Sequence, residues 1–344
     1  MAKRPTLKDV AVKAGVSLAT VNRVIAADPK VRKDTAIRVA EAAHAIGYHG
    51  YNLLTHQVKQ SLPLVRLGFV LHKERQSFYQ DFAREIEAAA TSFPGARVKL
   101  VLEFCQSQSP KDVAEKIIDI SQRVDVIAAT SVNHHKVSEV VADLKERGVA
   151  CFSLLSDFAQ GHREAYYGLN NLKVGRGVAS ALSKLAKKPG NIALFVGGNR
   201  WHGHELREAG FRAQFRELPS GFNVLDTLVN LETRQLTYEA TLDLLERASN
   251  LVGVYLAGGG MEGTIQAFRE EVEPNEIALI VNELTPESFS ALEEGYVSMI
   301  VSTPLQEMCR SLISSMVAHA LLGDQSASAK QVFFKPALYL PEFH

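Results

Sequence analysis

From Leu64 onward the chain alternates between short apolar runs and longer stretches of helical periodicity. Strands are expected over 65–71, 98–104, 124–129, 149–155, 191–196, 224–229, 251–256, 277–282 and 296–301. Helices are expected over 78–92, 111–122, 135–147, 171–187, 204–217, 234–249, 261–271, 286–294 and 305–322. A strand that is followed by a helix and then by another strand returns parallel to the first, so repeated alternation predicts parallel sheets covered by helices. Nine strands fit two open sheets better than one. The competing geometry is a barrel of eight βα units, which calls for even spacing and functional groups at many strand ends. The acidic and histidine residues do not fall into that pattern.

The first 60 residues read differently. They hold ten Lys and Arg against four acids, a charge of +6. The whole chain is neutral, so the remainder carries −6. A basic head on an acidic body suits a polyanionic partner. The head also has helical patterning. Thr6 is placed to cap a helix whose apolar stripe is Leu7, Val10, Ala11 and Ala14. Gly15 breaks that helix, and Ser17 caps a second one running to about Ala26. Val21, Val24 and Ile25 form its inner stripe, which leaves Leu18, Ala19, Asn22 and Arg23 outward. A third helix is expected from Lys33 to Ile46, with Val39, Ala43 and Ile46 inward and Gly47 ending it. Two short helices joined by a glycine turn make a helix-turn-helix, whose second helix fits a DNA major groove. A small helical cap is the alternative.

No apolar run approaches the length of a membrane-spanning helix, so no membrane association is expected. The basic start Met1-Ala2-Lys3-Arg4-Pro5 is not followed by an apolar signal core. Three scattered cysteines, Cys105, Cys151 and Cys309, include no CxxC pair. Together these features suit a reduced, cytoplasmic chain with neither a disulfide framework nor a zinc finger.

The segments Thr6-Leu7-Lys8-Asp9-Val10-Ala11, Ala14-Gly15-Val16-Ser17 and Thr20-Val21-Asn22-Arg23-Val24 resemble the head of LacI/GalR transcriptional regulators. Val31, Thr35, Ile37, Val39 and the closing Ile46-Gly47-Tyr48 extend the likeness. The resemblance implies base reading by Leu18, Ala19 and Arg23, with Asn22 beside them. It implies phosphate contacts from Thr6, Ser17 and Thr20, and DNA contact also from Arg32 and Thr35. A guanidinium can bond guanine O6 and N7 together, which singles out Arg23. Leu18 and Ala19 offer only apolar contact, for instance to a thymine methyl. The family usually continues Tyr-x-Pro-Asn into a hinge helix with a leucine wedge for the minor groove. Here Tyr48-His49-Gly50-Tyr51-Asn52 lacks that proline, and the wedge falls on Gln57 or Val58. Leu53, Leu54 and Val58 are equally suited to packing two hinges together. The organisation expected is a head over 1–49, a hinge over 50–63 and a ligand-binding and dimerising body over 64–344.

The body resembles the type I periplasmic binding protein fold of the same regulators. This implies one lobe from 64–168 and 304–322, another from 170–300 with the C-terminal strand, and a ligand in the cleft between them, at the carboxyl ends of the strands. Phe78-Tyr79 follow the first strand, where family members place aromatics that stack on sugar rings; a helix-start pair packed in the core is the other reading. Ser156-Asp157 end the fourth strand and suit hydroxyl binding, or a turn. Asn171 matches a ligand contact and is equally placed to cap a helix. Trp201-His202-Gly203-His204-Glu205 leads to Arg207, which falls on the family's sugar-binding arginine. The His202-x-His204 spacing does not suit two metal ligands on one helix face, and no metal or cofactor is expected.

Gly258-x-Gly260-x-x-Gly263 follows a strand and opens a helix, with Glu283 some twenty residues on. That is formally a dinucleotide fingerprint, and it carries the alternative of an NAD(H)-sensing or NAD-using Rossmann protein. Such a fingerprint normally lies in the first βαβ unit of its domain, which this one does not. The resemblance instead puts Gly258–Gly260 where relatives carry Asn or Asp against the ligand, and Glu283 on an acidic ligand contact. Glycines there are expected to enlarge the cleft. Ser302 stands where relatives often use Gln or Asp. No GxSxG, Walker loop or HExxH is present, so no enzyme is expected. The partners implied are double-stranded operator DNA, a sugar-like effector and a second copy of the chain. The absence of a leucine heptad before His344 points to a dimer rather than a tetramer.

Overall fold

The computed structural model describes residues 4–28, 30–52, 54, 62–198, 201–218, 221–323 and 330–342. Leu53, Gln57 and Val58, named above for the hinge, lie outside the described residues. The chain divides into two compact units, residues 1–66 with 91–99, and residues 67–90 with 100–344. Each is described by itself.

In the first unit, helices α1 (Leu7–Ala14), α2 (Leu18–Ile25) and α3 (Lys33–Ala45) form the head. Asp9 reaches back to accept from the Thr6 amide at 2.7 Å and so closes a capping box at the start of α1. Gly15 ends α1 at φ +66°, a left-handed conformation that costs a glycine little. Ser17 then caps α2 by accepting from the Thr20 amide at 3.1 Å. The three helices share one core, in which Val10, Ala14, Val21, Val24, Val39 and Ala43 are buried. Leu54 and, in part, Tyr51 join that core. Leu54 is therefore an internal packing residue of the head. Leu18, Ala19, Asn22 and Arg23 remain exposed along one face of α2.

The second unit has two sheets. The first has the order β12-β5-β4-β3-β1-β2. Its strands are β1 (Leu64–His72), β2 (Arg97–Cys105), β3 (Val126–Ala129), β4 (Ala150–Leu154), β5 (Ala165–Leu169) and β12 (Lys330–Phe334). The second sheet runs β13-β11-β10-β9-β6-β7, with β8 also on β6. It contains β6 (Asn191–Val196), β7 (Asn223–Val224), β8 (Leu228–Val229), β9 (Leu251–Leu256), β10 (Ala278–Val281), β11 (Met299–Ser302) and β13 (Ala337–Tyr339). The helices between are α4 (Ser77–Ser92), α5 (Pro110–Ser121), α6 (His135–Glu146), α7 (Asn171–Leu185), α8 (His202–Glu217), α9 (Arg234–Arg247), α10 (Met261–Glu271), α11 (Pro286–Glu293) and α12 (Leu305–Leu322).

Three differences from the sequence expectation stand out. β5 was missed because the polar Asp157–Glu164 stretch before it reads as one long loop. Two strands, not one, follow α12: β12 joins the first lobe and β13 the second. The second sheet is also not wholly parallel, because β13 runs antiparallel to β11 at its edge. The chain therefore passes between the lobes near Asn170, again near Thr303, and a third time between Phe334 and Ala337. Asn170, not Asn171, caps α7, accepting from the Lys173 amide at 3.1 Å.

α7 and α8 cross with their backbones in near contact. A Cβ on Gly175 would overlap the Arg207 carbonyl, and a Cβ on Gly210 would overlap that of Leu172. Neither backbone can yield as a side-chain tip would, so the crossing admits only glycine. Gly175→Ala is expected to force the helices apart and to lower the stability of the body by about 2 kcal/mol. Urea unfolding of the purified protein measures this, and an unchanged midpoint would refute the close crossing.

Candidate functional site

The carboxyl ends of β1, β3 and β4 face those of β6, β9, β10 and β11 across a cleft within the second unit. The cavity at its centre has a volume of about 100 Å³. Phe78, Tyr79, Ser156 and Trp201 line it, as do Arg207, Gly258 and Glu283. Gln76, Thr130, His204, Glu232, Asn282 and Thr303 line it too and were not among the site residues expected from the sequence.

Arg207 is brought to the cleft by the α7–α8 crossing and is nearly buried. Its Nε donates to Asn171 Oδ1 at 2.7 Å and its Nη1 to the Ala257 carbonyl at 2.7 Å. These bonds fix the guanidinium plane and leave its other edge to the cavity. Asn171 is itself held, donating to the Tyr166 hydroxyl at 3.2 Å and to the Leu155 carbonyl at 3.3 Å. It does not line the cavity, so the contact expected of Asn171 is replaced by a role in positioning Arg207. Glu283 accepts from Thr303 Oγ1 at 2.9 Å and from the Thr303 amide. Burial raises its pKa, opposed by Arg207 and by the bonds from Thr303 and Ser302. Ser302 itself is buried behind the cavity wall, its hydroxyl accepting from the Leu284 amide at 3.4 Å, so it supports Glu283 and does not face a ligand.

Asp157 also turns away. Its carboxylate pairs with Arg163, with Nη2 to Oδ2 at 2.7 Å, and both side chains are buried. Ser153 donates to it at 2.7 Å, while Arg163 Nη1 donates to the Lys330 carbonyl at 3.1 Å. Burial would raise the Asp157 pKa, but Arg163 and Ser153 outweigh it and hold the group ionised. This cluster ties β12 to the loop after β4. Ser156, its neighbour, does reach the cleft and accepts from the Gly203 amide at 3.0 Å.

The glycines of the Gly258-x-Gly260 pattern do not enlarge the cleft. A Cβ on Gly258 would lie 2.6 Å from His204 Cε1 and 3.1 Å from Glu232 Oε1. The missing side chains make room for two residues of the protein itself. Glu232 Oε1 accepts from the Gly259 amide at 3.1 Å, one residue before the cap of α10. A dinucleotide pyrophosphate would need that place, and a carboxylate already fills it. This geometry counts against the nucleotide reading. Glu232 had no signal in the sequence, since it sits in a loop with no motif.

Burial would raise the Glu232 pKa, but Lys73, His204 and the Gly259 amide carry it down to about 2. Burial lowers His204 to about 4 and His72 to about 4. His72 donates from Nε2 to the Thr130 carbonyl at 3.0 Å and meets Trp201 edge-on at 5.5 Å. Burial likewise raises the Tyr79 phenol, which therefore stays a neutral donor. At neutral pH the cavity thus presents the Arg207 cation, the Glu232 carboxylate, the carboxyl group of Glu283, neutral hydroxyls and three aromatic rings. That set suits a small polyhydroxylated molecule, with hydroxyls between Arg207 and Glu283 and C–H faces on the rings.

Residues 67–325 match the family described as periplasmic binding protein domain, and residues 6–50 match the lacI family of bacterial regulatory proteins. Catabolite control protein A of Priestia megaterium is 28% identical over 144 residues, 42% of this chain and 41% of that protein. The HTH-type transcriptional regulator RegA of Clostridium saccharobutylicum is 24% identical over 219 residues, 60% of this chain and 62% of that protein. The matched stretches thus span less than two thirds of either relative. Among solved structures, a solute-binding protein of an ABC transporter from Burkholderia graminis, in complex with D-arabinose, superposes with a TM-score of 0.74 at 19% identity. That match covers 81% of this chain and 96% of the other.

Two predictions follow from the buried charges. Asp157→Ala would strand Arg163 in the interior and is expected to lower stability by about 3–5 kcal/mol, read from denaturant unfolding. Retention of full stability would mean that Arg163 finds water. The second concerns pH. In the folded state His72 and His204 take up protons only near pH 4, against about 6.5 when unfolded, so stability is lost as pH falls from 6.5 to 4. Glu232 extends the loss from 4.5 toward 2. Thermal melts across this range should show His204→Gln flattening the upper window. A wild-type midpoint constant from pH 7 to 4 contradicts the assignment.

A two-lobed body matched over most of the chain makes this chain a member of the periplasmic binding protein domain family, and its helix-turn-helix head matches the lacI family of bacterial regulatory proteins.

Proposed function

We propose that this chain is a sequence-specific DNA-binding repressor whose operator affinity is controlled by a sugar or polyol bound in the cleft. The observation that carries the effector reading is the convergence of Arg207 and Glu283 on one cavity also lined by Phe78, Tyr79 and Trp201. The D-arabinose held by the similar solute-binding protein supports it. The exposed α2 face of Leu18, Ala19, Asn22 and Arg23 supports the DNA reading. Ser17 and Thr20 stand at the amino end of that helix, where the dipole favours phosphate. Thr6 and Arg32, both exposed, and the half-buried Thr35 are assigned to the DNA backbone with them.

In this reading the chain acts as a homodimer in the cytoplasm, and two heads meet a near-palindromic operator. Phosphate contacts supply affinity and salt dependence, while Arg23 supplies sequence choice. Effector and operator affect each other's binding by the same factor, as linkage requires. No catalytic step is assigned to the chain.

The test begins with selection of random duplex DNA on the purified protein at near-physiological salt. A near-palindromic consensus is expected. Arg23→Ala should lose the consensus while keeping weak, salt-sensitive binding; full specificity in that variant would move base reading elsewhere. Trp201 is the chain's one tryptophan and lines the cavity, so its fluorescence reports the cleft directly. Titration with pentoses, hexoses and polyols should change that signal for at least one compound. Arg207→Ala and Glu283→Ala should each abolish the change and leave operator binding intact. A normal response in both places the effector outside the cleft.

A further inference from the structure

The cleft contains an interaction that effector binding does not require. Glu232, in the loop between β8 and α9 of the second lobe, reaches across to the first lobe. Its carboxylate pairs with Lys73 Nζ and lies 3.4 Å from Gln108 Nε2. Its backbone carbonyl accepts from Gln76 Nε2 at 3.3 Å. Gln108 continues the bridge by accepting from Trp201 Nε1 at 3.2 Å. Three side chains of the first lobe thus grip a single residue of the second.

The backbone is arranged for this grip. Lys73 has φ +51° and Glu232 has φ +54°, with Leu231 beside it at +49°. Non-glycine residues rarely adopt this conformation, and they persist in it where surrounding contacts over-determine them. Asn230 supplies part of that determination. It is buried, and its side chain accepts from the Glu232 amide at 2.8 Å and donates to the Gly259 carbonyl at 2.9 Å. The receiving space is equally specific, because a Cβ on Gly197 or Gly258 would collide with Glu232 or His204.

We infer that Glu232 is an intramolecular ligand of the cleft: its pairing with Lys73 holds the two lobes closed before any effector enters. A carboxylate fixed to one lobe does what a bound anion would do between the two. The effector then occupies only the remaining cavity beside Arg207 and Glu283. This inference rests on the cleft being the effector site, but its test needs neither effector nor operator, so the two readings fail separately.

The test places spin labels at Glu115→Cys on α5 and Glu239→Cys on α9, both exposed, in the full-length protein; the native cysteines are buried. The distance between labels is measured by pulsed electron resonance without added ligand. The closed distance is expected to dominate in the otherwise wild-type protein. Lys73→Met and the shape-conserving Glu232→Gln should each lower the ratio of closed to open molecules about tenfold or more. The charge-conserving Lys73→Arg should keep the closed distance, and circular dichroism checks that each variant is folded. The inference is overturned if the unsubstituted pair is open without ligand, or if both single variants stay closed. Opening in Lys73→Arg as large as in Lys73→Met would assign the effect to lost packing and overturn it as well.

Discussion

The seating of Glu232 against Gly197, Gly258 and Gly259 is the contact on which the cleft depends. It brings a carboxylate to an amide just before α10, sets it beside His204, and presents it to Lys73 of the other lobe. Each of these neighbours would be altered by a single methyl group at Gly258. The electrostatics follow from the same seat. A carboxylate buried there stays ionised only because a lysine and an amide compensate it. With its charge satisfied internally, the carboxylate offers little to a ligand, which leaves recognition in the proposed function to Arg207 and Glu283.

The α7–α8 crossing does for Arg207 what the glycine pocket does for Glu232. Gly175 and Gly210 let two helix backbones meet, and the contact fixes where Arg207 leaves α8. Asn171, from the first turn of α7, then orients the guanidinium through Nε. An arginine whose plane is set by two protein acceptors is pre-organised, so less freedom would be lost if it took up the hydroxyls of the proposed effector. The same helix start serves the first lobe, since Asn171 and Tyr166 both bond the Leu155 carbonyl. Arg207 is thereby tied to both sides of the crossing near Asn170.

Much of this fold was legible in the sequence. The alternation of apolar runs with helical periodicity located β6, β9, α10 and α12 at their observed bounds, because buried parallel strands and amphipathic helices differ in both length and period. The head was legible for the same reason, with its capping residues and glycine turn marking the boundaries. Of the expected residues that line the cavity, Arg207, inside α8, was singled out through the family resemblance alone, whereas Glu283 is a residue that follows a strand end. Asp157 is another, yet its direction is decided by Arg163, and no pattern in the sequence says that a nearby arginine will be buried with it. The glycines were visible and their consequence was not. An absent side chain makes space, but only the fold shows what fills it. Glu232 lies in a left-handed loop between a two-residue strand and a helix, where neither periodicity nor motif operates.

The internal bridge also changes what an effector has to accomplish. A ligand shifts a conformational equilibrium only by its differential affinity for the two states. Driving a population from one in a hundred to ninety-nine in a hundred needs roughly 5.5 kcal/mol of such preference. A charge-assisted hydrogen bond contributes about 1.5–3 kcal/mol, and the Lys73–Glu232 pair applies its share whether or not ligand is present. With the closed state already dominant, little of the proposed effector's binding energy is spent on closure, so a small polyol would keep most of its intrinsic affinity. A cleft partly filled by its own side chains is therefore suited to sensing a compact metabolite. The feature that narrows the cavity is the same one that lowers the affinity the metabolite must supply.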